Sequence, residues 1–113
     1  MCLVVLFAMW VVKKHIYEPY CAAKRVADMG WVLYTMPGCG HCEEQLSELG
    51  CVARCALIIK SCPGGTCAEP PPVDVSKFPT WLLIDGKVKR KIVGKVSPGD
   101  DLVKALKAHP DSR

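Results

Sequence analysis

Two thiols stand three residues apart at Cys39 and Cys42, with Gly40 and His41 between them. Such a pair can close a disulfide, exchange it with another molecule, or bind a soft metal ion. Spacing alone decides little. Cys supplies 8 of the 113 residues, and a shuffled chain of that composition carries about half a Cys-x-x-Cys pair. The surroundings of Cys39 are more informative. Trp31-Val-Leu-Tyr-Thr35 predicts a strand, which Pro37 and Gly38 end. A short helix is predicted over Cys42–Leu49, with Glu43 and Glu44 in its first turn and Gly50 as its stop. The Cys39 sulfur then lies at a helix N-terminus, where unpaired N–H groups favour a thiolate. Cys39 is therefore the expected attacking nucleophile, and Cys42 the thiol that resolves the mixed disulfide. An imidazole at His41 is expected to stabilise the Cys39 thiolate further.

A second signature begins at residue 78, Phe78-Pro-Thr-Trp-Leu-Leu-Ile-Asp-Gly86. Trp81–Ile84 reads as a strand, Asp85-Gly86 as a hairpin turn, and Val88–Val93 as the return strand. Ser97 is the expected cap of a last helix, with Pro98 at its first position, Asp100 placed for a capping box, and Pro110 as its stop. Earlier in the chain, Glu18–Met29 predicts a helix with Pro19 in its first turn and Gly30 at its C-terminal cap. Ala56-Leu-Ile-Ile-Lys60 predicts a buried strand. Residues 61–75, with Pro70-Pro71-Pro72, predict an irregular loop. The arrangement is strand–helix–strand, then a hairpin and a closing helix. It predicts an α/β domain with a central mixed sheet of about four strands flanked by helices.

A chain of 113 residues supports one domain, expected over residues 18–110 with a tail at 111–113. Residues 1–17 form an apolar N-terminal segment. Its first twelve, Met1-Cys-Leu-Val-Val-Leu-Phe-Ala-Met-Trp-Val-Val12, are apolar on every face and precede Lys13 and Lys14. As a helix they reach about 18 Å, less than the hydrocarbon core of about 30 Å. A short membrane anchor, a removed targeting segment and a buried element of the domain are all compatible with this run. Attachment through residues 1–12, hence membrane association, is the favoured expectation over a soluble cytoplasmic or secretory-pathway protein. A net charge of +4 points to neither nucleic acid nor acidic substrates. The basic cluster Lys87, Lys89, Arg90, Lys91 and Lys95 reads as a solvated strand face.

The remaining cysteines are Cys2, Cys21, Cys51, Cys55, Cys62 and Cys67. Cys62 and Cys67 flank a Pro-Gly-Gly turn and can form a second disulfide, structural or acting as an electron relay. Cys51 and Cys55 can pair likewise, and spacing does not fix the connectivity. A four-thiolate zinc module from Cys39, Cys42, Cys62 and Cys67 is a competing reading. So is a non-catalytic interaction domain whose cysteines are locked.

Residues 28–108 resemble the thioredoxin-like superfamily, which includes thioredoxins, glutaredoxins and protein disulfide isomerase domains. Phe78–Gly94 is thioredoxin-like throughout, Tyr34-Thr-Met-Pro-Gly-Cys39 is closer to glutaredoxin, and Gly40-His41 matches the isomerase type. The resemblance implies a thiol–disulfide oxidoreductase with a redox-active Cys39–Cys42 disulfide and no other cofactor or metal. Its partners would be protein thiols or disulfides and an electron donor or acceptor of unknown identity. It implies a cis Pro79 beside the thiols, with Phe78, Pro79, Thr80 and Gly94 meeting a substrate strand, and tuning by Gly40 and His41. It also implies a potential nearer the isomerase value of about −180 mV than thioredoxin's of about −270 mV. Three positions depart from the pattern. Leu33 stands where thioredoxins and isomerases bury an acid. Gly38 replaces the isomerase Trp, and Lys77-Phe78-Pro79 replaces the Thr-Val-Pro of glutathione-binding glutaredoxins.

Overall fold

A computed structural model describes residues 2–99 and 101–111. The chain opens with α1 (Cys2–Val12), a π-helical segment (Lys13–Tyr17) and α2 (Glu18–Met29), whose junction residues Val12, Tyr17 and Glu18 all keep right-handed helical backbone angles. One helical path therefore runs from Cys2 to Met29. Pro19 has no N–H to donate and its ring crowds the preceding turn, so the wider π-turn before it lets the path continue. The α2 bounds match the sequence expectation, although Pro19 lies within this path rather than at a free helix start.

Gly30 ends α2 at φ +107°, and its N–H bonds back to Ala27. A Cβ there would lie 2.2 Å from the Ile84 carbonyl oxygen. Gly30 is thus required twice, by a left-handed backbone and by close contact with the neighbouring strand. The turn delivers the chain into β1 (Trp31–Thr35), which is buried along its whole length.

From β1 the chain passes through α3 (Gly40–Ala56) to β2 (Ile58–Ser61), then after a long loop to β3 (Thr80–Asp85), β4 (Lys87–Val93) and α4 (Leu102–Ala108). The sheet order is β2-β1-β3-β4. β1 and β2 are parallel, with Val32 opposite Ile58, whereas β3 is antiparallel to both β1 and β4. The protein is mixed α/β, with a four-stranded mixed sheet flanked by helices.

Two apolar layers cover the two faces of the sheet. On one, Ala23 and Val26 of α2, Leu49 and Ala53 of α3, and Leu102 and Leu106 of α4 pack on Trp31, Leu33, Trp81 and Ile92. On the other, Val32, Tyr34 and Leu82 meet Cys62, Cys67, Val73, Val75 and Phe78 from the loop between β2 and β3. The second layer is therefore built from loop, as three consecutive prolines require.

Several local expectations need correction. Gly50 does interrupt the helix, with non-helical angles of φ 81° and ψ 165°, but helix resumes and carries α3 to Ala56. β2 is a sheet edge with Ile58 exposed, not a buried strand, because only β1 pairs with it. Ser97 does not cap α4, since its hydroxyl bonds the Glu48 carboxylate at 3.1 Å. Gly99, at φ +58°, breaks any helix begun at Pro98. The cap is Asp101, whose carboxylate accepts from the Val103 N–H at 2.9 Å; Asp100 lies outside the described residues. The basic cluster is solvated at Lys87 and Lys89, as expected of a strand face, but its cations also meet partners on this chain. Lys89 pairs with Asp85, Lys95 with Glu44 and Glu48, and Lys91 bonds the Asp74 carbonyl. Arg90 lies over the Trp31 ring and donates to the Leu106 and His109 carbonyls, closing the end of α4.

One polar side chain ties the helix-side layer together. Gln45 of α3 is fully buried. Its amide nitrogen donates to the Val96 carbonyl at 2.8 Å, and its oxygen accepts from the Val96 N–H at 2.6 Å and the Trp81 indole at 3.2 Å. Gln45→Leu keeps the volume but strands three buried polar groups, each worth about 1–3 kcal/mol. The variant should therefore lose about 3 kcal/mol or more of stability, read as a lower urea midpoint. An unchanged midpoint would show that this bridge does not fix α3.

Candidate functional site

Tyr34-Thr35 ends β1, and Met36-Pro37-Gly38 turns the chain so that Cys39 becomes the residue before α3. Its backbone is extended at φ −84° and ψ 117°, its N–H bonds the Met36 carbonyl, and its carbonyl accepts the Glu43 N–H. Cys39 is half-buried, whereas Cys42 is buried one turn further along the helix. Both are free thiols.

Their electrostatics diverge. The Cys39 thiol is held below the ordinary thiol range, first by a hydrogen bond with the Cys42 side chain and then by the backbone N–H groups of Cys42 and His41. Partial burial and the Glu43 carboxylate oppose this. These are the exposed donors that a helix N-terminus provides. The Cys42 thiol is pushed up to about 11, mainly by burial and then by its bond to Cys39, with a backbone bond from Met36 acting the other way. The fully buried Leu33 sits in the helix-side core and offers no proton acceptor.

The second signature reaches the same place. The Cys39 Sγ lies 3.5 Å from the Phe78 carbonyl oxygen, and the Phe78–Pro79 peptide bond is cis. The Pro79 carbonyl accepts the Gly94 N–H at 2.8 Å. A Cβ built on Gly94 would meet nothing within 4 Å, so this glycine borders open space at φ +108°. Residues 39 sequence positions apart thus share one edge of the domain.

Two expected roles change with this geometry. The His41 ring is exposed and stands 3.9 Å from the Glu44 carboxylate, so the contribution of residue 41 to the Cys39 thiolate comes from its backbone N–H. Thr80 is fully buried and its hydroxyl bonds the Lys77 carbonyl, which closes the turn before β3 and leaves no hydroxyl for a substrate. Gly40 opens α3 with no neighbour within 4 Å of a built Cβ. Gln45 was not singled out by sequence. The available signal was a polar residue at the position one turn after Cys42, on the buried face of an otherwise amphipathic helix.

Cys62 and Cys67 are joined by a disulfide. Cys62 is fully buried, its N–H bonds the Thr35 carbonyl at 2.7 Å, and both half-cystines pack in the layer that holds Phe78. The bridge thereby ties the loop carrying Phe78 to the end of β1 that leads into Cys39. A four-thiolate zinc site would require both as thiolates. Among the described residues, no group of three or more His, Cys, Asp or Glu is placed to hold a metal ion. Cys51 and Cys55 are free and exposed on α3, and Cys51 contacts Arg54 at 3.5 Å.

No protein-family model matches the chain, and it matches no curated protein.

The divergence of the two thiols has a direct consequence. Only thiolates alkylate, so a thiol reacts faster with rising pH until its own pKa is passed. Alkylation by iodoacetamide should level off at Cys39 at a lower pH than for an ordinary thiol. At Cys42 it should keep rising towards pH 11. Peptide mass spectrometry across a pH series separates the two. Equal profiles would contradict the site as described.

Proposed function

We propose that this protein is a thiol–disulfide oxidoreductase with a thioredoxin-like fold, exchanging disulfides with protein substrates through Cys39 and Cys42. The observation that carries this reading is the opposed tuning of two thiols one helical turn apart. One is half-exposed at a helix N-terminus with its pKa lowered, and the other is buried with its pKa raised to about 11. Titratable partners pushed apart in this way divide naturally into a nucleophile and a group held in reserve. The fold reading is supported by the sheet order, by the parallel β1–α3–β2 crossover followed by an antiparallel hairpin, and by Phe78–Pro79 facing Cys39.

The proposed reaction has two exchange steps. The Cys39 thiolate attacks one sulfur of a substrate disulfide, forming a bond from Cys39 to that sulfur and expelling the other as a thiolate. Cys42 then loses its proton and attacks the Cys39 sulfur. This forms the Cys39–Cys42 disulfide and releases the second substrate thiolate. Two electrons pass from the dithiol to the substrate, and the reverse sequence oxidises a substrate dithiol. Because Leu33 replaces a buried acid, the Cys42 proton must leave by solvent or by the departing thiolate. Resolution is therefore the step that slows at low pH. The Phe78 carbonyl and the open backbone at Gly94 suit an extended substrate segment lying beside Cys39.

The test is kinetic trapping with a peptide disulfide. Cys42→Ala should accumulate a covalent adduct mapped to Cys39 by peptide mass spectrometry and reversed by dithiothreitol, while Cys39→Ala should show no more than the slow background at the exposed Cys51 and Cys55. Absence of the adduct with Cys42→Ala, under conditions where the unsubstituted protein is oxidised by the same peptide, would overturn the proposal.

A further inference from the structure

The N-terminal helix has no place in the dithiol chemistry. Between Leu3 and Val12 α1 presents only apolar side chains, and these stand in solvent: Leu3 is 82% exposed, Phe7 66% and Trp10 54%. The expectation of a buried element of the domain is therefore corrected, since α1 contributes nothing to either core layer. It projects as the extension of α2, and the molecule measures 55 Å along its longest axis against 28 and 22 Å across.

We propose that α1 inserts end-on into a lipid membrane, with Trp10, Lys13 and Lys14 at the headgroup level. A helix that lies flat on a membrane needs a polar face, and α1 has none. Docking against a protein partner along one face would leave the other faces wet. A helix apolar all round is covered completely only within a multi-element core or by lipid. No helix among the described residues is long and apolar enough to cross a membrane. The change from apolar to basic is abrupt at Lys13. The Lys14 ammonium lies 5.8 Å from the centre of the Trp10 ring, and Trp10 in turn stacks on Phe7. An aromatic ring beside two cations matches the boundary between acyl chains and anionic headgroups. Because the helical path from Cys2 to Met29 is unbroken, this insertion would hold the thiol-bearing domain at a fixed height above the lipid.

This inference does not depend on the dithiol reading, and its test leaves the thiols untouched. The full chain is floated with vesicles of phosphatidylcholine alone and of phosphatidylcholine mixed with phosphatidylglycerol. It should float with both, more strongly with the anionic mixture. Trp31 and Trp81 are almost fully buried, so emission quenched by brominated lipid should report Trp10 and vanish in Trp10→Phe. The double variant Leu6→Glu, Phe7→Glu should lower vesicle binding at least about 100-fold. Its Cys39 alkylation profile should stay unchanged, which shows that the domain remains folded. Lys13→Gln with Lys14→Gln should weaken binding to the anionic vesicles about 30-fold and leave neutral vesicles unaffected. Failure to float with either vesicle would overturn the proposal. So would self-association through α1, seen by sedimentation without lipid and preventing flotation.

Discussion

Everything about this site depends on where one helix begins. An isolated α3 is free to slide or rotate on the sheet, and a shift of a few ångströms would carry Cys39, the residue before it, away from the Phe78 carbonyl. Gln45 removes that freedom. It engages both the N–H and the C=O of Val96 and also receives the Trp81 indole, so α3 is pinned to the chain following β4 and to the start of β3. Its amide behaves as one more peptide unit set into the sheet edge, with all its polar groups satisfied inside a dry core. Glu48 reinforces the same seam from the surface through Lys95 and Ser97, pairs that water screens.

The site needs a second fixed element opposite the thiols, and the two faces of the sheet achieve this differently. The helix-side core positions α3. The opposite layer is irregular chain, held by Val73, Val75 and Phe78 and by the Cys62–Cys67 bridge. Irregular chain between β2 and β3 has large conformational freedom when unfolded, and a cross-link within it lowers that freedom. The half-cystine at Cys62 is bonded to Thr35 at the end of β1, so the bridge ties the loop to the strand that leads into the thiols. Cys39 and Cys42 thus sit beside a disulfide whose place in the fold is that of a tie.

Local grammar made much of this legible. The left-handed requirement at Gly30 and the turn at Asp85-Gly86 are properties of single residues and dipeptides, and α2 and the β3–β4 hairpin fall where those signals put them. The Cys39 environment followed from a strand stop and a helix start, both of which are short-range. What escaped the sequence depends on tertiary partners. Ile58 and Ile59 read as buried, but strand order places β2 at the edge. Ser97-Pro98 has the form of a helix start, but Glu48 takes the hydroxyl and Gly99 turns the chain, leaving Asp101 as the cap. The histidine between the two cysteines has the right chemistry for tuning, but its ring turns to Glu44, so the main chain performs that role. Gln45 was invisible because a Gln on a helix ordinarily faces water, and nothing local announces that its three partners lie 36 and 51 residues away.

In the proposed chemistry Cys39 and Cys42 form a reversible couple whose stabilised thiolate favours the dithiol state, while Cys62–Cys67 stays closed. Redox titration of the full chain in glutathione buffers, with each disulfide mapped by peptide mass spectrometry, tests this most directly. The expected result is a two-electron transition confined to Cys39 and Cys42, at a potential above thioredoxin's of about −270 mV and towards the isomerase value of about −180 mV. A Cys39–Cys42 pair that never closes across that range, or a transition that belongs to Cys62 and Cys67 instead, would contradict it.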